Sequence, residues 1–257
     1  MKLNFGGIVP ISTIDWYGRA SLVIFFRGCP FRCIYCQNPS IINGIDLVDI
    51  ETIKNKILNT SSFISAVVFS GGEPTMQYGA LKSLAQYAKD LNLDVGIQTN
   101  GYYPYAIKEL ISLSLVDKIL ISIKAPLVPN VYAKVVGVQI SNGERIVRHV
   151  AKTLDILKSS TVCFEVTTTV LKSFFENIEQ CIKYIEKIAE TLKDYLHSRC
   201  RSYKCTYVIQ NASFATSGER VFSRKELIEL ALHAAMVSNQ LDVRIRTKES
   251  GEESITH

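Results

Sequence analysis

The sequence predicts a single α/β domain assembled from parallel strand–helix units. Three observations point there. Short apolar runs rich in β-branched residues alternate with longer stretches whose apolar residues recur at threes and fours. The chain has 257 residues, 47% of them hydrophobic, enough to bury a barrel-sized core. Chemically unusual residues recur just after the strand candidates, where barrel enzymes carry their active sites.

The elements follow in order. Residues 21–26, Ser-Leu-Val-Ile-Phe-Phe, form the first strand candidate, followed by 66–70, 94–98, 118–123, 161–169, 206–210 and 241–246. Helical spacing marks residues 49–58, 77–91, 104–113, 143–158, 174–196 and 224–239. Pro104 suits a first helical turn, where its missing amide hydrogen costs nothing, and Ser223 suits an N-cap before Arg-Lys-Glu-Leu. Residues 1–247 read as one domain with a short extension at 1–20, and residues 248–257 as a polar, frayed tail.

Composition excludes several classes. Seven cysteines, an odd number, without an N-terminal apolar stretch behind a basic cluster argue against secretion and for a reducing cytoplasm. No run of eighteen apolar residues is present, so no membrane span is expected. The net charge of +5 is spread along the chain except between Lys193 and Lys204. That segment could meet an acidic protein or a phosphate backbone, but a solvated helix end explains it too, and nucleic acid is not an expected partner.

Cys29, Cys33 and Cys36, spaced CxxxCxxC after the first strand, carry the most chemical information. An iron–sulfur cube has four irons, so three thiolates from one loop leave one iron open to a small molecule. Zinc would need a fourth ligand at a compatible spacing. Cys163, Cys181, Cys200 and Cys205 lie far along the chain, as do His149, His197, His233 and His257. Cys200 and Cys205, spaced CxxxxC, form another candidate pair or are ordinary thiols.

Further loops converge on the same rim. Gly71 and Gly72 expose backbone groups to a close ligand, or make a plain turn, and Glu73 offers an acceptor for an ammonium group. Thr99 and Asn100, before Gly101, suit ribose hydroxyls or a turn. Ser122 and Lys124 follow the fourth strand, where the lysine either snorkels outward or meets a carboxylate. Thr168 closes the fifth strand and Gln210 the sixth. Tyr35, inside the cysteine loop, could lie against a flat ring or simply pack that loop.

With Cys-Pro-Phe-Arg-Cys-Ile-Tyr-Cys at 29–36 and Gly-Gly-Glu-Pro at 71–74, the chain resembles the radical S-adenosylmethionine (SAM) superfamily, whose signature CxxxCxΦC places an aromatic at Tyr35. Asp-Trp-Tyr-Gly-Arg at 15–19, Phe-Arg-Gly-Cys-Pro at 26–30 and Gln-Asn-Pro at 37–39 look like the glycyl-radical enzyme activating proteins, above all that of anaerobic ribonucleoside-triphosphate reductase. The resemblance implies a partial (β/α)6 TIM-type barrel, the seventh strand being an appended or edge element. It assigns Cys29, Cys33 and Cys36 to a [4Fe-4S] cluster whose fourth iron is chelated by SAM. It sets Tyr35 and Gln37 beside the adenine through backbone contacts, Gly71, Gly72 and Glu73 at the methionine amino group, and Lys124 near its carboxylate. It further implies a glycyl-radical enzyme as partner and an electron donor such as ferredoxin or flavodoxin.

Two departures stand out. Activating enzymes of the pyruvate formate-lyase type carry aspartates where this chain has Gln98 and Ser122, so a monovalent cation site there is lost or made of neutral oxygens. A histidine that some relatives place near the ribose is also absent, leaving Gln210 as its substitute. Alternatives are a radical SAM enzyme acting on a small molecule or modified base, as in deazapurine synthesis, and a non-catalytic metal-binding module.

Overall fold

Each strand expected from an apolar run is present, because such runs are stable only when both faces are covered. The computed structural model describes residues 1–193, 195, 205–212, 221–238, 240–247 and 250–255. Cys200, His197, Asn239, Lys248 and His257 lie outside the described residues, as does most of the basic segment 193–204. The chain divides into two units, Met1–Pro30 with Asn38–Leu120, and Phe31–Gln37 with Ile121–His257.

The first unit contains β1 (Lys2–Ser12), β2 (Ser21–Phe26), β3 (Leu47–Asp49), α1 (Ile50–Thr60), β4 (Ala66–Gly71), α2 (Tyr78–Asp90), β5 (Asp94–Thr99) and α3 (Pro104–Ser112). The strand order is β3–β1–β2–β4–β5. β2, β4 and β5 are parallel, with Ser21 opposite Ala66 and Ala66 opposite Asp94. Side chains alternate across the sheet, so Val23, Ala66 and Val68 cluster on one face beneath Trp16. Gly96 makes room for that indole, since a β-carbon there would lie 2.9 Å from Trp16 Cε3. On the other face Leu22, Ile24, Phe26, Val67, Phe69, Val95 and Ile97 are fully buried. The helices bury Ile53, Ile57, Leu81, Leu84, Ile107 and Leu110, the positions marked by helical spacing. Pro104 occupies the first turn of α3 as expected.

The 1–20 extension is itself structured. β1 runs antiparallel to β2, with Lys2–Asn4 also pairing β3. Gly6, Gly7 and Pro10 interrupt the apolar alternation that would have revealed it, and the register shifts between Phe5 and Gly7, where Gly7 has φ +145°.

β6 (Lys118–Ser122) carries the chain into the second unit, which contains α4 (Pro129–Val135), α5 (Gly143–Ser159), β7 (Cys163–Val170), α6 (Ile178–Lys193), β8 (Thr206–Asn211), α7 (Arg224–Val237), β9 (Asp242–Thr247) and β10 (Gly251–Ser254). β7, β8 and β9 are parallel, with Glu165, Thr206 and Asp242 in register. α6 begins at Ile178 rather than Phe174, which instead closes a 3-10 turn. Ser223 caps α7 in a reciprocal box with Glu226. α4 escaped notice because seven residues are too few to show a helical period.

The C-terminal segment corrects two expectations. β9 is not an edge strand, and residues 251–254 of the tail form β10, antiparallel to it. A polar Gly-Glu-Glu-Ser run has no strand signature of its own, and charge supplies the cause. Arg246 donates to Glu165 at 2.6 Å and to Glu252 at 2.5 Å, while Arg244 bridges Asp242 at 2.5 Å and Glu252 at 2.8 Å. The Glu165 and Glu252 side chains are only 2% and 3% exposed. Breaking such a buried ladder costs far more than making it gains, because a desolvated charge is left behind. Arg246→Ala is therefore expected to lower unfolding stability by about 3 kcal/mol in chemical denaturation, with Arg246→Lys intermediate.

Candidate active site

In the first unit, the ends of β2 and β4 are locked together through backbone. The Gly72 amide donates to the Phe26 carbonyl at 2.8 Å and the Glu73 amide to that of Gly28 at 2.9 Å. Both glycines serve this approach. Gly71 has φ +116°, and a β-carbon on it would fall 2.4 Å from the Phe26 oxygen. On Gly72 it would fall 2.1 Å from the Gly28 oxygen, immediately before Cys29.

Glu73, expected to offer an open acceptor, is instead fully buried. Its carboxylate accepts from the Thr75 hydroxyl, from the Thr75 amide at 3.1 Å, from Thr99 Oγ1 at 2.8 Å and from the Asn100 amide at 2.7 Å. Burial raises its pKa from the ordinary carboxylate range against the pull of those donors. Asn100, so held, directs its side-chain amide to Cys29 Sγ at 3.7 Å. Gln98 accepts from Ser70 Oγ at 2.5 Å and donates to Asp15 Oδ1 at 3.2 Å, tying β5 to the 15–19 motif.

In the second unit, residues 31–37 are pinned to the end of α4. The Arg32 amide donates to Val136 at 2.8 Å and the Ile34 amide to Val135 at 3.2 Å. Gly137, φ +64°, permits the contact, for a β-carbon there would be 2.1 Å from the Arg32 oxygen. The Cys36 amide closes a turn onto the Cys33 carbonyl at 3.1 Å. Burial pushes the Cys33 thiol up, and Lys124 opposes the shift. Tyr35 is buried, its hydroxyl donating to the Lys124 carbonyl at 3.0 Å, with Lys124 Nζ 5.9 Å from its ring centre. Thr168 is buried as well, donating to the Ile123 carbonyl at 3.0 Å and accepting from Tyr207 at 3.1 Å. Gln210 donates to Thr169 Oγ1 at 3.2 Å, and Gln37, Ser122 and Lys124 are partly exposed.

The Radical SAM superfamily model matches residues 23–188. This chain belongs to the radical SAM superfamily. It is 37% identical over 195 residues to a Methanocaldococcus jannaschii protein named "Putative glycyl-radical enzyme activating enzyme", covering 76% of this chain and 77% of that one. It is 27% identical over 215 residues to the 7-carboxy-7-deazaguanine synthase of the same organism, covering 66% of this chain and 88% of the relative. QueE from Escherichia coli superposes with a TM-score of 0.55 at 14% identity over 96% of this chain and 95% of that one, a likeness of fold alone. The fold is thus the partial TIM-type barrel of radical SAM enzymes, and the cofactors are a [4Fe-4S] cluster and SAM.

The residues present suit those cofactors. Cys29, Cys33 and Cys36 form no disulfide and are partly exposed. Three thiols from one loop give a cube one thiolate for each of three irons. Cys181 and Cys205 are free but buried, their thiols pushed up to about 12 by desolvation.

The first unit of this radical SAM enzyme brings together Cys29, Gly71, Gly72, Glu73, Thr99 and Asn100, and the second Cys33, Tyr35 and Lys124. Thr75, Tyr132, Tyr184 and Tyr207 were not anticipated. A tyrosine at helical spacing beside Cys181, Ile185 and Ile188 on α6 was the available signal for Tyr184, since a half-buried phenol needs a partner. Glu73→Gln is expected to cost about 2 kcal/mol in denaturant unfolding, because either orientation of the amide turns an NH2 group toward a donor.

Proposed function

We propose that this radical SAM enzyme is an activase that installs a glycyl radical on a partner enzyme, anaerobic ribonucleoside-triphosphate reductase. Its relative of the activating type, 37% identical over 77% of that protein's length, carries the reading over the deazaguanine synthase, 27% identical. The motifs at 15–19 and 26–30 support the same subgroup.

When bound, the cluster and SAM supply a 5'-deoxyadenosyl radical by one-electron reductive cleavage of the sulfonium. The chain's own residues bind and orient. Cys29, Cys33 and Cys36 would hold three irons of the cluster, leaving the fourth open to SAM. The Gly71–Gly72 backbone would face the methionine amino group, with Glu73 buried behind it holding Thr99 and Asn100, while Lys124 and Ser122 would lie on its carboxylate side and Tyr35 and Gln37 by the adenine. Thr99, Asn100, Thr168 and Gln210 complete the ribose side, Thr168 by fixing the strand end through its bond to Ile123. No side chain need act as acid or base, since the hydrogen taken from the partner's glycine moves as an atom. The electron comes from a carrier of the ferredoxin or flavodoxin kind, and the setting is the cytoplasm.

Anaerobic reconstitution with iron and sulfide should give a reducible cluster, and dithionite with SAM should then yield 5'-deoxyadenosine and methionine. Cys33→Ala should abolish both. With the reductase from the same organism, electron spin resonance should show a glycine-centred doublet. Cofactor cleavage without that doublet would refute the partner assignment while leaving the enzyme class intact.

A further inference from the structure

The backbone of Lys124 is held by phenols on both sides. Tyr184, from α6, donates to its carbonyl at 2.8 Å, and Tyr35 donates to the same oxygen at 3.0 Å, using both of its lone pairs. The hydroxyl of Tyr132, from α4, accepts from the Lys124 amide at 3.3 Å. One residue earlier, the Ile123 amide donates to Thr167 at 3.0 Å and the Ile123 carbonyl accepts from Thr168. Lys124 therefore leaves β6 with its main chain fixed at every polar group. Only its side chain is free to reach outward, with the Tyr35 ring 5.9 Å from Nζ on one side. Burial pushes the phenols of Tyr35, Tyr132 and Tyr184 upward, so all three keep their protons.

We infer that Tyr184 and Tyr132 are positioning residues for Lys124, fixing the point from which its ammonium meets a carboxylate. Packing alone does not call for these hydroxyls, since phenylalanine would fill the same space. What the hydroxyls add is a defined backbone one residue past the Ile123–Thr167 bond, where phenols take the Lys124 carbonyl and amide. A lysine on a flexible four-carbon stem binds an anion more tightly when fewer of its bonds must be frozen on contact.

The inference rests on the reading of Lys124 as a contact of the SAM carboxylate, and a double-mutant cycle separates the two. SAM binding is measured by anaerobic equilibrium dialysis on reconstituted protein, with iron content and melting temperature checked for every variant. Tyr184→Phe should weaken binding about three- to ten-fold, the worth of one hydrogen bond. Lys124→Met should weaken it at least as much, and adding Tyr184→Phe to Lys124→Met should change nothing further. No loss in the single Tyr184 variant, or an equal loss in the Lys124→Met background, overturns the positioning role. If Lys124→Met binds SAM as tightly as the wild type, the carboxylate contact itself falls. Should Tyr184→Phe not fold, Tyr132→Phe enters the same cycle, because it removes the acceptor of the Lys124 amide.

Discussion

The buried carboxylate of Glu73 is the constraint around which the first unit is arranged. Strand ends in a parallel sheet leave backbone donors without a partner, and water cannot reach donors packed this tightly. Glu73 takes up the amides of Thr75 and Asn100 together with the hydroxyls of Thr75 and Thr99, joining the loops after β4 and β5 at one point. Gly71 and Gly72 let the loop after β4 come close enough to the chain leading into Cys29 for two further backbone bonds. Without the glycines the carboxylate would have nothing to fasten, and without the carboxylate the glycines would leave a loop too free to orient Asn100.

The second unit meets the same requirement with phenols. Tyr35, Tyr132, Tyr184 and Tyr207 bind either the polar groups around Ile123 and Lys124 or the threonine that binds them. A neutral hydroxyl can be buried at far lower cost than a charge, and it donates or accepts as the geometry demands. The contrast is chemical rather than architectural. A carboxylate gathers several donors onto one point, whereas each of these phenols serves a single group, backbone for Tyr35, Tyr132 and Tyr184 and the Thr168 hydroxyl for Tyr207. The polar face of β7 to β9 adds a third device, the arginine–carboxylate ladder that recruits β10.

Much of this was legible in the sequence wherever burial left a local pattern. Residues 21–26 and 66–70 read as strands because both faces are covered, and α1 to α3 read as helices because one face is. β1 was hidden by Gly6, Gly7 and Pro10, and β10 by a composition that makes a strand only opposite Arg244 and Arg246. At the site, the spacing of Cys29, Cys33 and Cys36 pointed to an incompletely ligated metal with zinc still open, and Gly71 to Pro74 behind it carried the resemblance to radical SAM enzymes. The fate of Glu73 did not show, since Thr99 and Asn100 lie 26 and 27 residues away. The bond from Tyr184 to Lys124 spans 60 residues. Local patterns report burial, and long-range hydrogen bonds leave no trace in them.

The two deeply buried thiols bear on how the protein tolerates air. Thiolates, not thiols, attack oxidants and alkylating reagents, and burial holds Cys181 and Cys205 almost wholly protonated at neutral pH. Among the described cysteines these two core thiols are therefore poor targets for oxidants and alkylating reagents. The core around α6 and β8 is in this sense chemically quiet, its sulfurs present as thiols that pack rather than react.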